Sequence, residues 1–245
     1  MNFLADKTSL LVSFKNLEEI DRVLKYVDIV DLKNPENGSI GSWKIEDIIK
    51  AVKAFKKKTI ISATLGDIFI DDEIFNRLSK FDKLGLDFVK IGIFKKKYSE
   101  FENFLGEIKK KNIKTNIVLV FFVEDKNFLK FVFDNLKKLK DSRIKVILLD
   151  TYVKNTKSLL DICPRSFLEK LVNRSNFFEL QIGLAGKINA KQIPQLIKLG
   201  PKIIGLRSGV CKNNNRISEI SVKKIKKVSS YFSIANKIAI DNAGA

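Results

Sequence analysis

Eight short runs rich in β-branched and aromatic residues recur along the chain, at 9–12, 28–32, 59–63, 88–92, 116–121, 145–149, 179–183 and 203–206. Between and after them come segments with apolar residues at helical spacing. The clearest helical stripes are Ile45, Ile48, Ile49 and Val52; Phe101, Phe104, Leu105 and Ile108; Phe128, Leu129, Val132, Phe133 and Leu136; Ile193, Leu196 and Ile197; and Ile217, Ile220, Ile225 and Val228. Weaker ones fall within 17–24, 74–84 and 167–172. Each stripe needs a sheet to cover it. Eight strands alternating with eight helices in 245 residues predict an α/β, single-domain (β/α)8 TIM barrel, whose active site forms at the carboxyl ends of the strands. A doubly wound open sheet is the competing arrangement, but the first strand-to-helix turn, LLVSFKNLEE, lacks the glycine-rich dinucleotide signature. One domain therefore spans 1–245, with the tail from about 233 outside the eightfold pattern.

Composition narrows the chemistry. The chain has no His and two Cys, at 163 and 211. Ser-His and Cys-His nucleophiles, His-ligated metals and Cys₄ sites are thereby excluded. No metal and no cofactor is expected, and catalysis falls to Lys, Asp, Glu, Tyr, Ser or Cys. No apolar run approaches the roughly 20 residues of a membrane span, and the opening MNFLADKTSLLVSF lacks the uninterrupted apolar stretch of a signal peptide. A cytoplasmic protein with free thiols is expected. The formal charge of +18 raises a nucleic-acid partner, yet it comes from 39 Lys against seven Arg, many of the Lys in solvent-face helix positions. Readers of nucleic acid favour Arg for its bidentate geometry. Neither nucleic acid nor membrane is expected as a partner, while a homo-oligomer is compatible with the sequence.

The informative residues are charges inside apolar strands, where burial is expensive. In Asp28-Ile29-Val30-Asp31-Leu32-Lys33, period-two alternation puts Asp31 and Lys33 on one face and Val30 and Leu32 on the other. Val30 and Leu32 suit the helix-facing side, so the charges point into the barrel. Lys90 points inward by the same count, between Val89 and Ile91. The sixth run ends in Asp150, with Lys154 four residues on. Each pair alone is as readily a structural ion pair. Three lysines and two aspartates converging on one mouth suggest instead an amine activated by neighbouring cations for attack on a carbonyl. Asp31 is expected to shuttle protons for Lys33, with Lys90 supplying the nearby positive charge. Ser62, Thr64 and Asp67 add small polar groups and an acid at the same mouth. The runs 183–187 and 206–210 carry Gly186, Lys187, Arg207, Ser208 and Gly209 in loops of the kind that hold phosphate after strands seven and eight, although glycine equally serves a tight turn. A bulky residue at Gly186 is expected to raise KM far more than it lowers stability.

Five segments, DIVDLKNPENGSIGS (28–42), ISATLGD (61–67), DFVKIGIF (87–94), LLDTYVKNTKSLLD (148–161) and GLAGKI through GLRSGVCK (183–212), resemble in order the (5-formylfuran-3-yl)methyl phosphate synthases. This family is also called the 4-(hydroxymethyl)-2-furancarboxaldehyde-phosphate synthases. The resemblance runs over about residues 9–230. It implies a TIM-barrel lyase that condenses two glyceraldehyde 3-phosphates into a furan aldehyde phosphate, losing phosphate and water, early in the making of methanofuran-type cofactors. It also implies Lys33 as the Schiff-base lysine and Lys90 as proton acceptor, with Asp31, Asp150 and Lys154 assisting proton transfer. The partner would be a small phosphorylated sugar. The eighth-strand loop reads RSGVC where the family favours a Gly-Ala-rich sequence. Other readings of the residues themselves are a phosphate-sugar aldolase using Lys33 or Lys90, and a non-catalytic anion-binding barrel.

If the lysines are solvated helix faces, duplex DNA should bind weakly and release near physiological salt, as counterion release requires. A titration of salt against fluorescence anisotropy checks this, and sequence-selective binding that survives such salt would reinstate a nucleic-acid partner.

Overall fold

The computed structural model describes residues 7–68, 72–94, 97–153 and 157–243. Eight parallel strands close into a barrel in sequence order: β1 (Ser9–Phe14), β2 (Ile29–Leu32), β3 (Ile60–Thr64), β4 (Phe88–Ile93), β5 (Asn116–Phe122), β6 (Val146–Asp150), β7 (Gln181–Leu184) and β8 (Ile203–Leu206). The helices are α1 (Leu17–Asp21), α2 (Ile45–Phe55), α3 (Asp72–Phe81), α4 (Tyr98–Lys110), α5 (Lys126–Asp134), α6 (Leu136–Asp141), α7 (Leu159–Ile162), α8 (Arg165–Phe177), α9 (Ile193–Ile197) and α10 (Val222–Ala243). This is a (β/α)8 TIM barrel, and no described helix is long and apolar enough to cross a membrane.

Strand alternation divides the buried residues into two sets. Val30 and Leu32 of β2, Val89 and Ile91 of β4 and Leu119 and Phe121 of β5 pack outward against the helices. Leu11, Ile29, Phe88, Val118, Leu148 and Ile203 fill the barrel interior. The inward face is apolar below and charged above, because Asp31 and Lys90 stand two residues beyond Ile29 and Phe88 on the same side of their strands. Parallel register aligns Ser13 with Asp31, Asp31 with Ser62, and Thr64 with Lys90. At the opposite end, acids staple strand starts: Asp28 accepts from the Leu10 amide at 2.8 Å, and Asp87 from the Ile61 amide at 2.8 Å. That duty keeps Asp28 just outside β2, although the sequence pattern includes it.

Two corrections concern the carboxyl-terminal third. The helical stripe starting at Ile217 does not form as one element. Ile217 is exposed in a loop, Ile220 pairs with Cys211 in an isolated antiparallel bridge, and the helix begins only at Val222. The stretch from 233, outside the eightfold pattern in sequence, continues that helix to Ala243. Ile225, Val228 and Phe232 bury its inner face. The apolar strand IVLVFF splits its two phenylalanines between the faces. Phe121 goes outward to Phe101 (ring centroids 5.8 Å apart) and Phe122 inward, 5.3 Å from Phe94.

Phe101 is the hub of the outer aromatic cluster, touching Phe104, Phe121, Phe128 and Phe131 while itself 1% exposed. Phe101→Ala should cost about 3–5 kcal/mol of folding stability, read as a lower midpoint in urea denaturation with an unchanged slope.

Candidate active site

Asp31 is wholly buried, and its carboxylate is held by partners on two other strands. Oδ2 accepts from the Ser13 hydroxyl at 2.7 Å and lies 2.6 Å from the Lys90 ammonium, itself 3% exposed. Three strands thus meet on one oxygen, β1 through Ser13, β2 through Asp31 and β4 through Lys90. Among the described residues Oδ1 has no hydrogen-bond partner, and neither does the hydroxyl of Ser62, which stands next to Asp31 in the β2–β3 register. A buried ion pair of this closeness is costly to break, because the survivor is left as an uncompensated charge.

Lys33, one residue past β2, belongs to a second pair. Its Nζ is 3.5 Å from Oδ2 of Asp150, whose Oδ1 accepts from the Thr151 amide at 2.7 Å. The pairing is crossed relative to the one expected from sequence: Asp31 serves Lys90, and Lys33 meets the carboxylate of β6. Alternation fixes which face a side chain takes, but the stagger of the barrel decides which strand end it reaches. Lys33, Lys90 and Asp150 all line a mouth cavity of about 230 Å³. That is smaller than the ~300–1,000 Å³ of pockets for drug-sized ligands, and it suits small polar molecules.

The loops after β7 and β8 form one wall, contributing Gly186, Lys187 and Ser208. Gly186 has φ +107°, and a Cβ there would come 2.8 Å from Thr151 Cγ2 and 3.0 Å from its backbone nitrogen. A Cβ at Gly209 would meet the Ile188 carbonyl oxygen at 2.3 Å. Both glycines therefore let loops pack closely, whatever else they do. Arg207 is not available as a phosphate counter-charge. All five of its N–H donors are used: Nε on the Arg216 carbonyl, Nη1 on the Ser13 carbonyl and Glu19, Nη2 on Glu19 and the Ser218 carbonyl. Its bidentate partner Glu19 is 3% exposed. The pair locks the end of β8 to β1 and α1.

Asp67 and Thr64 likewise act on backbone. Asp67 accepts from the amides of Ser39 (2.9 Å) and Ile40 (2.8 Å), and Thr64 donates to the carbonyls of Gly41 (2.7 Å) and Leu32 (3.2 Å). They fasten the β2–α2 loop that follows Lys33. Ser62 lies a layer below the mouth, on a void of about 10 Å³ beside Lys90. Lys154 lies outside the described residues. Ser13, Glu19 and Arg216 are site residues that sequence reasoning misses. Ser13 and Glu19 carry a weak signal, a polar residue at an inward position of β1 and an acid on the first turn of α1, whereas Arg216 sits in a loop with no periodicity to read. Burial pushes the Cys163 and Cys211 thiols up to about 11, which removes thiolate chemistry at neutral pH. Among the described residues no cluster of His, Cys, Asp or Glu could hold a metal ion.

Comparison with known proteins adds an independent line. A family model described as 4-HFC-P synthase matches residues 10–229. The (5-formylfuran-3-yl)methyl phosphate synthase of Methanocaldococcus jannaschii is 30% identical over 235 residues, covering 89% of this chain and 98% of that protein. The protein of the same description from Methanobrevibacter smithii is also 30% identical, covering 91% of this chain and 99% of its own length. Among solved structures, phosphoribosyl anthranilate isomerase from Thermus thermophilus aligns with a TM-score of 0.61 at 13% identity, covering 93% of this chain and 99% of that one. A 3-hexulose-6-phosphate synthase aligns with a TM-score of 0.61 at 17% identity, covering 92% and 100%. At such identities the likeness is one of fold.

The Thr151 contact puts a folding cost first at Gly186, reversing the order expected from sequence. Gly186→Ala should lower stability by about 1–3 kcal/mol through the positive φ and the clash, seen as a reduced Tm before any change in KM. A variant of unchanged Tm would show that the loop relaxes freely.

Proposed function

The chain belongs to the 4-HFC-P synthase family, and from that premise we propose that it condenses two glyceraldehyde 3-phosphates into (5-formylfuran-3-yl)methyl phosphate through an imine on Lys33. The product would be the furan unit of a methanofuran-type cofactor. The observation that carries the reading is the crossed pair of ion pairs at the barrel mouth, one tight and buried, the other longer and lining the cavity.

Lys33 is the lysine assigned to attack because it is the more exposed of the two, 7% against 3%, at the rim of the cavity. Asp150 takes the ammonium proton, the amine attacks the aldehyde carbon of one triose phosphate, and loss of water from the carbinolamine gives the imine. The protonated imine is an electron sink, which makes the proton on the adjacent carbon removable at neutral pH. Lys90 accepts that proton after passing its own to Asp31. The resulting enamine expels phosphate from the carbon beyond, with the C–O pair leaving on the phosphate oxygen. The second molecule, deprotonated at its own C2, adds through that carbon to the terminal carbon of the conjugated iminium left by elimination. The C2 hydroxyl of the first molecule then closes the ring on the aldehyde carbon of the second, two waters leave, and hydrolysis of the imine frees Lys33. Two triose phosphates then balance against one furan aldehyde phosphate, one phosphate and two waters. Lysine and carboxylates suffice for every proton transfer.

Borohydride added with glyceraldehyde 3-phosphate should trap a covalent adduct on Lys33, located by peptide mass mapping. Lys90→Ala should trap less, and Lys33→Ala none. Lys33→Arg should be inactive, since a guanidinium keeps the charge without forming the imine. An adduct on Lys90 would exchange the two roles; turnover to the furan aldehyde without an adduct on any lysine would remove imine catalysis altogether.

A further inference from the structure

Two arginines nine residues apart have opposite fates. Arg207 spends five donors and a buried carboxylate on structure. Arg216, half-buried on the mouth cavity, makes one side-chain hydrogen bond among the described residues, from Nη2 to the neutral Gly38 carbonyl at 2.8 Å. Among those residues no carboxylate comes within 4.0 Å of it. Asp150 and Asp67 act on it only from farther off, and its partial burial outweighs them and pulls the guanidinium below its usual value. A guanidinium stays charged throughout, so a partly buried one with no carboxylate at ion-pair distance is better compensated once an anion reaches it.

The loop that carries it is also held in place beforehand. Arg207 grips the carbonyls of Arg216 (2.7 Å) and Ser218 (2.9 Å), Lys15 donates to the Ile217 carbonyl (2.8 Å), and Lys224 to the Asn214 side-chain oxygen (2.8 Å). Asn213 and Asn214 turn the loop with φ near +53° and +54°. Arg216 starts from the loop after β8 but extends over the mouth to the β2–α2 loop. The cavity therefore has two cationic walls, Lys187 with Ser208 on the β7–β8 loops and Arg216 on the side of Gly38 and Asp67.

The geometry points to a second phosphate subsite, centred on Arg216, that takes the phosphate of one triose phosphate while the β7–β8 loops take the phosphate of the other. The inference rests on the proposed condensation, which brings two phosphate monoesters to one mouth. A planar fork with donors to spare matches two phosphate oxygens at once, and a pre-set donor loses little freedom on binding.

Equilibrium dialysis against sn-glycerol 3-phosphate, which has no carbonyl and cannot form an imine, tests this without turnover. The wild-type chain should bind two equivalents and Arg216→Ala one. Arg216→Lys, which keeps the charge, should bind two with the second weakened, and this guards against loss of fold in the alanine variant. The KM for glyceraldehyde 3-phosphate should rise roughly 10- to 100-fold in Arg216→Ala, the loss expected for one charged hydrogen-bonding partner. A single equivalent on the wild type, or two on Arg216→Ala, overturns the subsite. Because dialysis needs no reaction, the stoichiometry is independent of whether the product is a furan.

Discussion

One carboxylate oxygen carries the barrel mouth. Oδ2 of Asp31 receives Ser13 from β1 and Lys90 from β4, and a buried carboxylate is costly unless donors of this kind reach it. The oxygen in turn fixes the relative heights of three strands, since a slip of one residue would turn Asp31 toward the helices. Lys33 inherits its position from this arrangement. It leaves β2 two residues above a fixed point, close enough to the rim to meet Asp150 yet less tightly held by it. The tight pair holds three strands in register, and the longer one stands at the rim.

Much of this is legible in the sequence, and what is not has a common cause. The alternation around Val30 and Leu32 correctly sends Asp31 and Lys33 inward, and the eight runs map onto the eight strands within a few residues. Partner choice is hidden, because it depends on barrel stagger rather than on spacing within a strand. So is the division between Arg207 and Arg216. Nothing in the stretch RSGVCKNNNR marks which arginine finds Glu19, a residue 188 positions away. Asp67 and Thr64 look like substrate groups in sequence but hold backbone amides and carbonyls of the β2–α2 loop. Polar residues near a strand end serve loops as readily as ligands.

The mouth is also chemically two-sided. Ile40, Phe94 and Phe122 pack over the β4–β5 side, with Tyr152 edge-on to Phe122 at 5.4 Å. The cations and the glycine loops occupy the rest. On the proposed mechanism, an apolar wall here would limit water at the imine, where hydrolysis would release the substrate. The same wall would also suit the flat aromatic ring of the proposed product.

The apolar plug beneath the ion pairs has a consequence for traffic. Leu11, Ile29, Phe88, Val118, Leu148 and Ile203 leave a void of only about 10 Å³ with Ser62 and Lys90, the room of a single water. Among the described residues these side chains form the floor of the mouth cavity. Whatever reacts beside Lys33 and Lys90 would enter and leave across the rim. Substrates and products of the proposed reaction would then share one passage, so that a product still seated in it would hold back the next arrival, as a vessel already drawn full blocks the head of a well.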